Sequence, residues 1–355
     1  MDVVHKRRAV AYWLLAGVFM IIIQTLLGGI TRLTGSGLSI TQWKPIMGAL
    51  PPMNDKEWQE AFNGYKQIGQ YKYLNSDFTL SDFQFIFFWE WFHRLWARML
   101  GVVFAIGFIY FFIKKYFDKN MVVPFVVLFI LGGLQGLIGW VMVSSGLNDS
   151  HLYVDHIKLA IHFLSAMLLA CYTLWFALQL LVNPDRRITN TSLHNLTIGV
   201  ICLLSVQLLY GAFMAGLHAG ITAPTWPSIN GMWLPASLGN GNITGDKINV
   251  QFIHRGLAYL LLLLLIVWFM KVHKADSTKR SLLATTGKWP MLLVALQVLL
   301  GIFTVISAPY IQFGKFGRYQ LLAELHQLVA MFLLMSLLVN LYVVRKAGKT
   351  DSTVF

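Results

Sequence analysis

Apolar residues run unbroken through most of this chain instead of alternating with polar ones. Eight mainly apolar stretches stand out, at 9–30, 84–113, 121–143, 157–182, 194–216, 250–270, 289–309 and 320–344. About 20 such residues in a helix cross the hydrocarbon of a bilayer, so the pattern predicts eight transmembrane helices. Two longer segments interrupt it, 31–83 and 217–249, each with Pro, Gly and Trp (Trp43, Pro45, Pro51, Pro52; Pro224, Trp226, Pro227, Trp233, Pro235). They predict either ordered caps over one membrane face or plain connectors.

Composition agrees with an all-α, polytopic membrane protein. Of 355 residues, 57% are hydrophobic and 12% charged, against about a quarter charged in soluble domains. Soluble enzymes, nucleic-acid binders and disordered chains are excluded. The net charge of +13 would suggest nucleic acid in a soluble protein, but here the basic residues alternate by loop. One side collects Lys6, Arg7 and Arg8; Lys114, Lys115 and Lys119; Arg186 and Arg187; Lys271, Lys274, Lys279, Arg280 and Lys288; and Arg345, Lys346 and Lys349. By the positive-inside rule that side is cytoplasmic and holds both termini, and the two long segments face outward. The first apolar run lacks an A-x-A-type cleavage site and reads as a retained helix. Cys171 and Cys202, both within apolar runs, read as buried small hydrophobes.

An internal repeat organises the spans. Four odd-numbered spans carry Gln-x-x-x-Gly (Gln24–Gly28, Gln135–Gly139, Gln207–Gly211, Gln297–Gly301), and two even-numbered spans carry His-Arg (His93–Arg94, His254–Arg255). His254 follows His93 by 161 residues, Gln297 follows Gln135 by 162, and His326 follows His162 by 164. The chain therefore reads as two tandem pseudo-symmetric four-helix bundles, 1–183 and 184–355. Glycine lets helix backbones approach closely, and an intramembrane Gln seeks a hydrogen-bond partner.

Ten histidines are present. His5, His194 and His273 fall at cytoplasmic helix ends and read as solvated. His93, His162, His254 and His326 fall inside even-numbered spans, at similar depth toward the outer side. Ionisable groups inside a membrane are costly and mark sites. Two imidazoles on facing helices can supply both axial ligands of one haem iron, which pairs His93 with His162 and His254 with His326. Ala97, Ala166, Ala258 and Ala330 each follow one of these histidines by four residues, on the same helix face, leaving room for a flat macrocycle. Arg94, Arg98 and Arg255 are candidates for the haem propionates, since guanidinium matches carboxylate with paired donors, and Arg32 lies near the same level. Zinc would need three protein ligands together, whereas these histidines divide two and two. Glu90 breaks the symmetry. It lies three residues before His93, on the same face, where the second repeat has Gln251. A carboxylate beside a haem pocket can carry protons, so the first unit reads as the reaction site.

At these residues the chain resembles the haem A synthase family in its proteobacterial and mitochondrial form. The likeness runs through Gly28-Gly29-Ile30-Thr31-Arg32-Leu33-Thr34, Ser36-Gly37-Leu38-Ser39, Trp43-Lys44-Pro45, Leu50-Pro51-Pro52 and Glu90-x-x-His93-Arg94. It continues through Gln135-Gly136-Leu137-x-Gly139-Trp140-x-Met142-Val143, Gly211-Ala212-Phe213-x-Ala215-Gly216-Leu217, Gln251-Phe252-x-His254-Arg255 and the His326 segment. The resemblance implies oxidation of one ring methyl of haem O, in successive steps, to the formyl group of haem A. It implies that His93 and His162 bracket the substrate haem O, that His254 and His326 hold a resident haem B, and that Glu90 is the functional glutamate. Another branch of the family has a cysteine pair in the first outer loop; residues 31–83 here contain no cysteine, so a thiol mechanism cannot apply. Implied partners are haem O synthase, cytochrome oxidase assembly factors and an unidentified redox partner, with an oligomer allowed. An inner-membrane location with the haem sites toward the outer side completes the expectation. Electrons would leave the substrate haem through the second haem while Glu90 accepts protons, with oxygen arriving as water or as dioxygen. A di-haem electron-transfer subunit resembling cytochrome b and a haem transporter remain open as alternatives.

Overall fold

A computed structural model describes residues 3–42, 47–275, 281–311 and 316–346. The Trp43-Lys44-Pro45 motif and the basic residues Lys279, Arg280 and Lys349 lie outside the described residues. Eleven α-helices follow in order: α1 Val3–Leu33, α2 Asp55–Tyr65, α3 Gly69–Leu74, α4 Leu80–Ile113, α5 Val122–Ser144, α6 His156–Leu181, α7 Thr191–Gly216, α8 Lys247–Ala275, α9 Leu282–Thr286, α10 Trp289–Ser307 and α11 Arg318–Val343. Eight are long and apolar enough to cross a membrane: α1, α4, α5, α6, α7, α8, α10 with its flanking turns, and α11. They coincide with the eight apolar stretches. Most begin a few residues earlier than those stretches, because capped polar first turns extend them. Thr79 caps α4 in a reciprocal box with Asp82, and Asp155 and Asn190 cap α6 and α7.

Consecutive spans pack as α1 on α4, α5 on α6, α7 on α8 and α10 on α11. Further contacts join α1 to α6, α8 to α10 and α7 to α11. The two sets of four helices meet along α1–α11, α6–α7 and α6–α11. Lipid is as apolar as leucine, so small residues and polar bonds must hold such helices together. The Trp13 indole lies so close over Gly107 that a side chain there would collide with it, and it stacks on Phe104 at 5.2 Å. Trp268 Nε1 donates to Thr197 Oγ1 at 2.8 Å, Trp96 Nε1 to the Met20 carbonyl at 3.0 Å, and Gln327 Nε2 to the Thr25 carbonyl at 3.2 Å. Each such bond in a membrane is worth about 0.6 kcal/mol.

Among the described residues, the long segment after α1 forms a cap on α4. α1 ends in a Schellman turn: Gly35 takes φ +71°, Ser36 N donates to the Thr31 carbonyl, and Gly35 N to the Arg32 carbonyl. Leu38, Phe62, Tyr65 and Ile68 then bury against Phe83, Ile86 and Phe87 of α4. The Tyr65 hydroxyl donates to Gln70 Oε1 at 3.0 Å and accepts from Asn75 at 2.7 Å. Burial, reinforced by the Glu90 carboxylate, pushes its pKa up to about 12. At the opposite end of the bundle, β1 Ile188–Thr189 pairs in parallel with β2 Val344–Arg345, and His194 Nδ1 donates to the Val344 carbonyl at 2.7 Å. His194 is therefore part of that join and not a solvated side chain. Cys202 also departs from expectation: it is exposed on the outside of α7, where a small apolar group costs nothing against lipid.

Candidate functional site

Each glycine of the four Gln-x-x-x-Gly elements faces a histidine of the next span. A methyl group added at Gly28 would lie 3.3 Å from His93 Nε2, and one at Gly139 2.9 Å from His162 Cε1. At Gly211 it would lie 3.4 Å from His254 Cε1, and at Gly301 3.0 Å from His326 Cε1. The glycine leaves a shelf on which the imidazole rests. The glutamine one turn earlier reaches the same histidine in three of the four elements. Gln135 Nε2 lies 3.2 Å from His162 Nδ1 and donates to the His162 carbonyl. Gln207 Nε2 lies 3.4 Å from His254 Nε2, and Gln297 Nε2 3.1 Å from His326 Nε2. Gln24 is the exception, with Oε1 buried and unpartnered.

One of the two expected pairs is in ring contact: His254 and His326 face each other with ring centroids 6.3 Å apart, while His93 and His162 each lie against the glycine of the span before. A metal–imidazole bond is about 2 Å long, so two rings sharing one metal stand roughly 6 Å apart between centroids. His326 Nδ1 donates to the Gln297 carbonyl at 3.0 Å, the outer contact that aims the other nitrogen at a metal. His254 Nδ1 is buried with no partner. The residues present thus fit an iron held between two imidazoles. A metal at Nε2 of His326 would take the place of the Gln297 amide. Among the described residues, no three His, Cys, Asp or Glu converge on a metal position. The alanines that follow the histidines are packed unequally, with Ala330 buried and Ala97 exposed.

Glu90 is 2% exposed and belongs to a clasp between α4 and the cap. Its Oε2 accepts from Ser39 Oγ at 2.7 Å and from Ile40 N at 2.9 Å, and Oε1 pairs with Arg94 at 2.5 Å. Arg94 also donates to the Ile40 carbonyl at 3.2 Å. Gln251, the matching residue of the second set, donates to the Ala223 carbonyl at 3.0 Å. Arg255 donates to the carbonyls of Ala223, Thr225 and Ser228. Both His-Arg arginines therefore hold loops, and of Arg255 only Nε is left buried without a partner.

Three contacts escaped the sequence reading. Ser39 grips Glu90, which its place in the Ser-Gly-Leu-Ser run could have suggested. Arg32 reaches across to the Ala215 carbonyl at the end of α7, at 3.3 Å. Glu324, 5% exposed with both carboxylate oxygens unpartnered, lies against Gly29; a buried acid two residues before His326 was the available signal.

Comparison with known proteins agrees with this geometry. Residues 11–338 match the COX15-CtaA family, described as cytochrome oxidase assembly protein. A heme A synthase of Flavobacterium johnsoniae is 36% identical over 347 residues, covering 95% of this chain and 98% of that protein. The heme A synthase of Paracoccus denitrificans is 39% identical over 321 residues, covering 86% and 83%. That of Parvibaculum lavamentivorans is 38% identical over 314 residues, covering 87% and 89%. A match of this extent, on a chain whose histidines pair as described, establishes that the protein belongs to the COX15-CtaA family of cytochrome oxidase assembly proteins, together with these heme A synthases.

Proposed function

We propose that this protein is a haem A synthase, an oxidoreductase that converts the ring methyl of haem O to the formyl group of haem A for terminal oxidases. The observation that carries the reading is the pairing of four intramembrane imidazoles, each seated on its own glycine, with Glu90 beside one pair only. His93 and His162 bracket the substrate haem O, and His254 and His326 hold a resident haem B. Iron supplies the oxidising power that an unactivated methyl C–H requires and that side chains lack.

The chain's own residues position, enclose and manage protons. The glycine shelves fix the height of each imidazole, and the glutamine contacts set the rotation of His162, His254 and His326. The cap, with Leu38, Phe62 and Tyr65 buried against α4, keeps bulk water from the first site. Glu90 takes up protons released by the oxidation, with Arg94, Ser39 and the Ile40 N–H holding it in place. Arg98, one turn from Arg94, is the propionate partner on the first side. A di-haem relay has no evident use for one asymmetric carboxylate, which favours the enzyme over the electron-transfer and transporter alternatives.

The units 1–183 and 184–355 are tandem repeats in the same orientation. The protein sits in the inner membrane with both termini cytoplasmic and the haem sites toward the outer face. Haem O synthase and oxidase assembly factors are its partners. The test is haem extraction and mass analysis after co-expression with a haem O source. Haem A or hydroxylated intermediates are expected, and haem B alone at both sites rejects the reading.

A further inference from the structure

The arginine next to His254 is not free to meet a carboxylate, because Arg255 spends both terminal nitrogens on the carbonyls of Ala223, Thr225 and Ser228. Polar groups lie directly above the pair of His254 and His326 instead. Lys247 precedes His254 by seven residues on α8, and Tyr319 precedes His326 by seven on α11. Seven residues are nearly two turns, so each shares its histidine's face, about 10 Å closer to the loop end. Arg32 joins them from α1. Its guanidinium donates to the Ala215 carbonyl, and the Tyr319 hydroxyl lies against Gly220, five residues further along the same loop end.

His218 completes the group, packed at a tilt against Tyr153 with ring centroids 4.1 Å apart. Burial, with Arg32 and Lys247 nearby, holds its pKa down to about 4. Two cations, a phenol and a neutral imidazole thus gather over the histidine pair. Glu324 is set about 200° around α11 from His326, against Gly29 of α1.

We infer that Arg32, Lys247 and Tyr319 form the propionate-binding site of the haem held by His254 and His326, with its arginine supplied by the other half of the protein. The inference rests on the haem reading of that pair. Arg32 and Lys247 neutralise the carboxylates, Tyr319 donates its hydroxyl, and the Ala215 carbonyl holds the Arg32 guanidinium across the boundary between the halves. Arg255 holds the loop.

Redox titration of the resident haem in the purified full-length protein tests the assignment. Removing a cation beside the haem favours the ferric form. Arg32→Gln should shift the reduction equilibrium about tenfold, lowering the midpoint by about 59 mV, and Lys247→Gln should lower it by less. Arg32→Lys should restore most of the shift, which a merely structural role would not predict. An unchanged midpoint in Arg32→Gln at full haem content overturns the assignment, as does an equal shift in Arg255→Gln. A second arm needs no variant: wild-type apoprotein should take up iron protoporphyrin dimethyl ester about tenfold more weakly than the free diacid. Equal uptake overturns the propionate site alone, whereas uptake of neither porphyrin overturns the haem reading together with it.

Discussion

Glu90 and Gln251 occupy the same place, three residues before a histidine, and both fasten a loop to the helix that carries that histidine. Glu90 does so by accepting from Ser39 and Ile40, Gln251 by donating to Ala223. Each is followed four residues later by an arginine bound to carbonyls of the same loop. A neutral amide therefore suffices for fastening. The charge on Glu90 adds an ion pair with Arg94 that Gln251 cannot make, and it is this extra charge that we assign to proton handling.

The comparison breaks most visibly at Glu90 itself. Glu90→Gln keeps a hydrogen-bonding amide of the kind found at position 251 but removes the proton acceptor. Product formation should fall about 10²–10⁴-fold while haem stays bound, as read by extraction and mass analysis; unchanged turnover removes the proposed role. The reciprocal Gln251→Glu should leave product formation within severalfold of wild type.

His326→Ala should abolish the low-spin signature of the resident haem in optical and paramagnetic resonance spectra, and an unaltered spectrum overturns the ligand assignment. Ser39→Ala removes a hydrogen bond to a charged group, worth about 1.5–3 kcal/mol, and should slow turnover about tenfold without altering the resident haem spectrum. Alanine at the four shelf glycines should reduce haem content in the order of crowding, most at Gly139 and least at Gly211; equal effects would mean that the shelves do not seat the rings.

The smallest effect concerns the cap. The folded Tyr65 value of about 12 lies above the unfolded value of about 10, so the folded state holds this proton more tightly. That contribution is complete below pH 10 and is lost as pH rises toward 12. Tryptophan fluorescence near Trp58 should therefore report loosening of the cap above pH 10, and Tyr65→Phe should remove the dependence.

The helices were legible because hydrocarbon demands long apolar runs, and the four histidines because an ionisable group in such a run stands out. The offsets of 161 to 164 residues put them in register. What stayed hidden depends on contacts between distant segments. Ser39 meets Glu90 across 51 residues and Arg32 meets Ala215 across 183, and no local period encodes either approach. The arginines were read by their charge, which is right about their preference for oxygen acceptors but silent on whether a carbonyl or a carboxylate comes first. The ordered cap and the plain connector could not be told apart from Pro, Gly and Trp alone, since burial of Phe62 and Tyr65 requires α4 beneath them.

Gly28 and Gly29 are neighbours on α1, yet one backs the His93 ring and the other backs Glu324 of the second set. At that level the partition between the compartments is a single stretch of backbone without side chains. A version of the protein cut between residues 183 and 184 and produced as two fragments would strip Glu324 of its cover and leave Arg32 without the Ala215 carbonyl. The fragments would present a bare acid and a bare guanidinium to lipid, so the two sets of four helices are not separable parts.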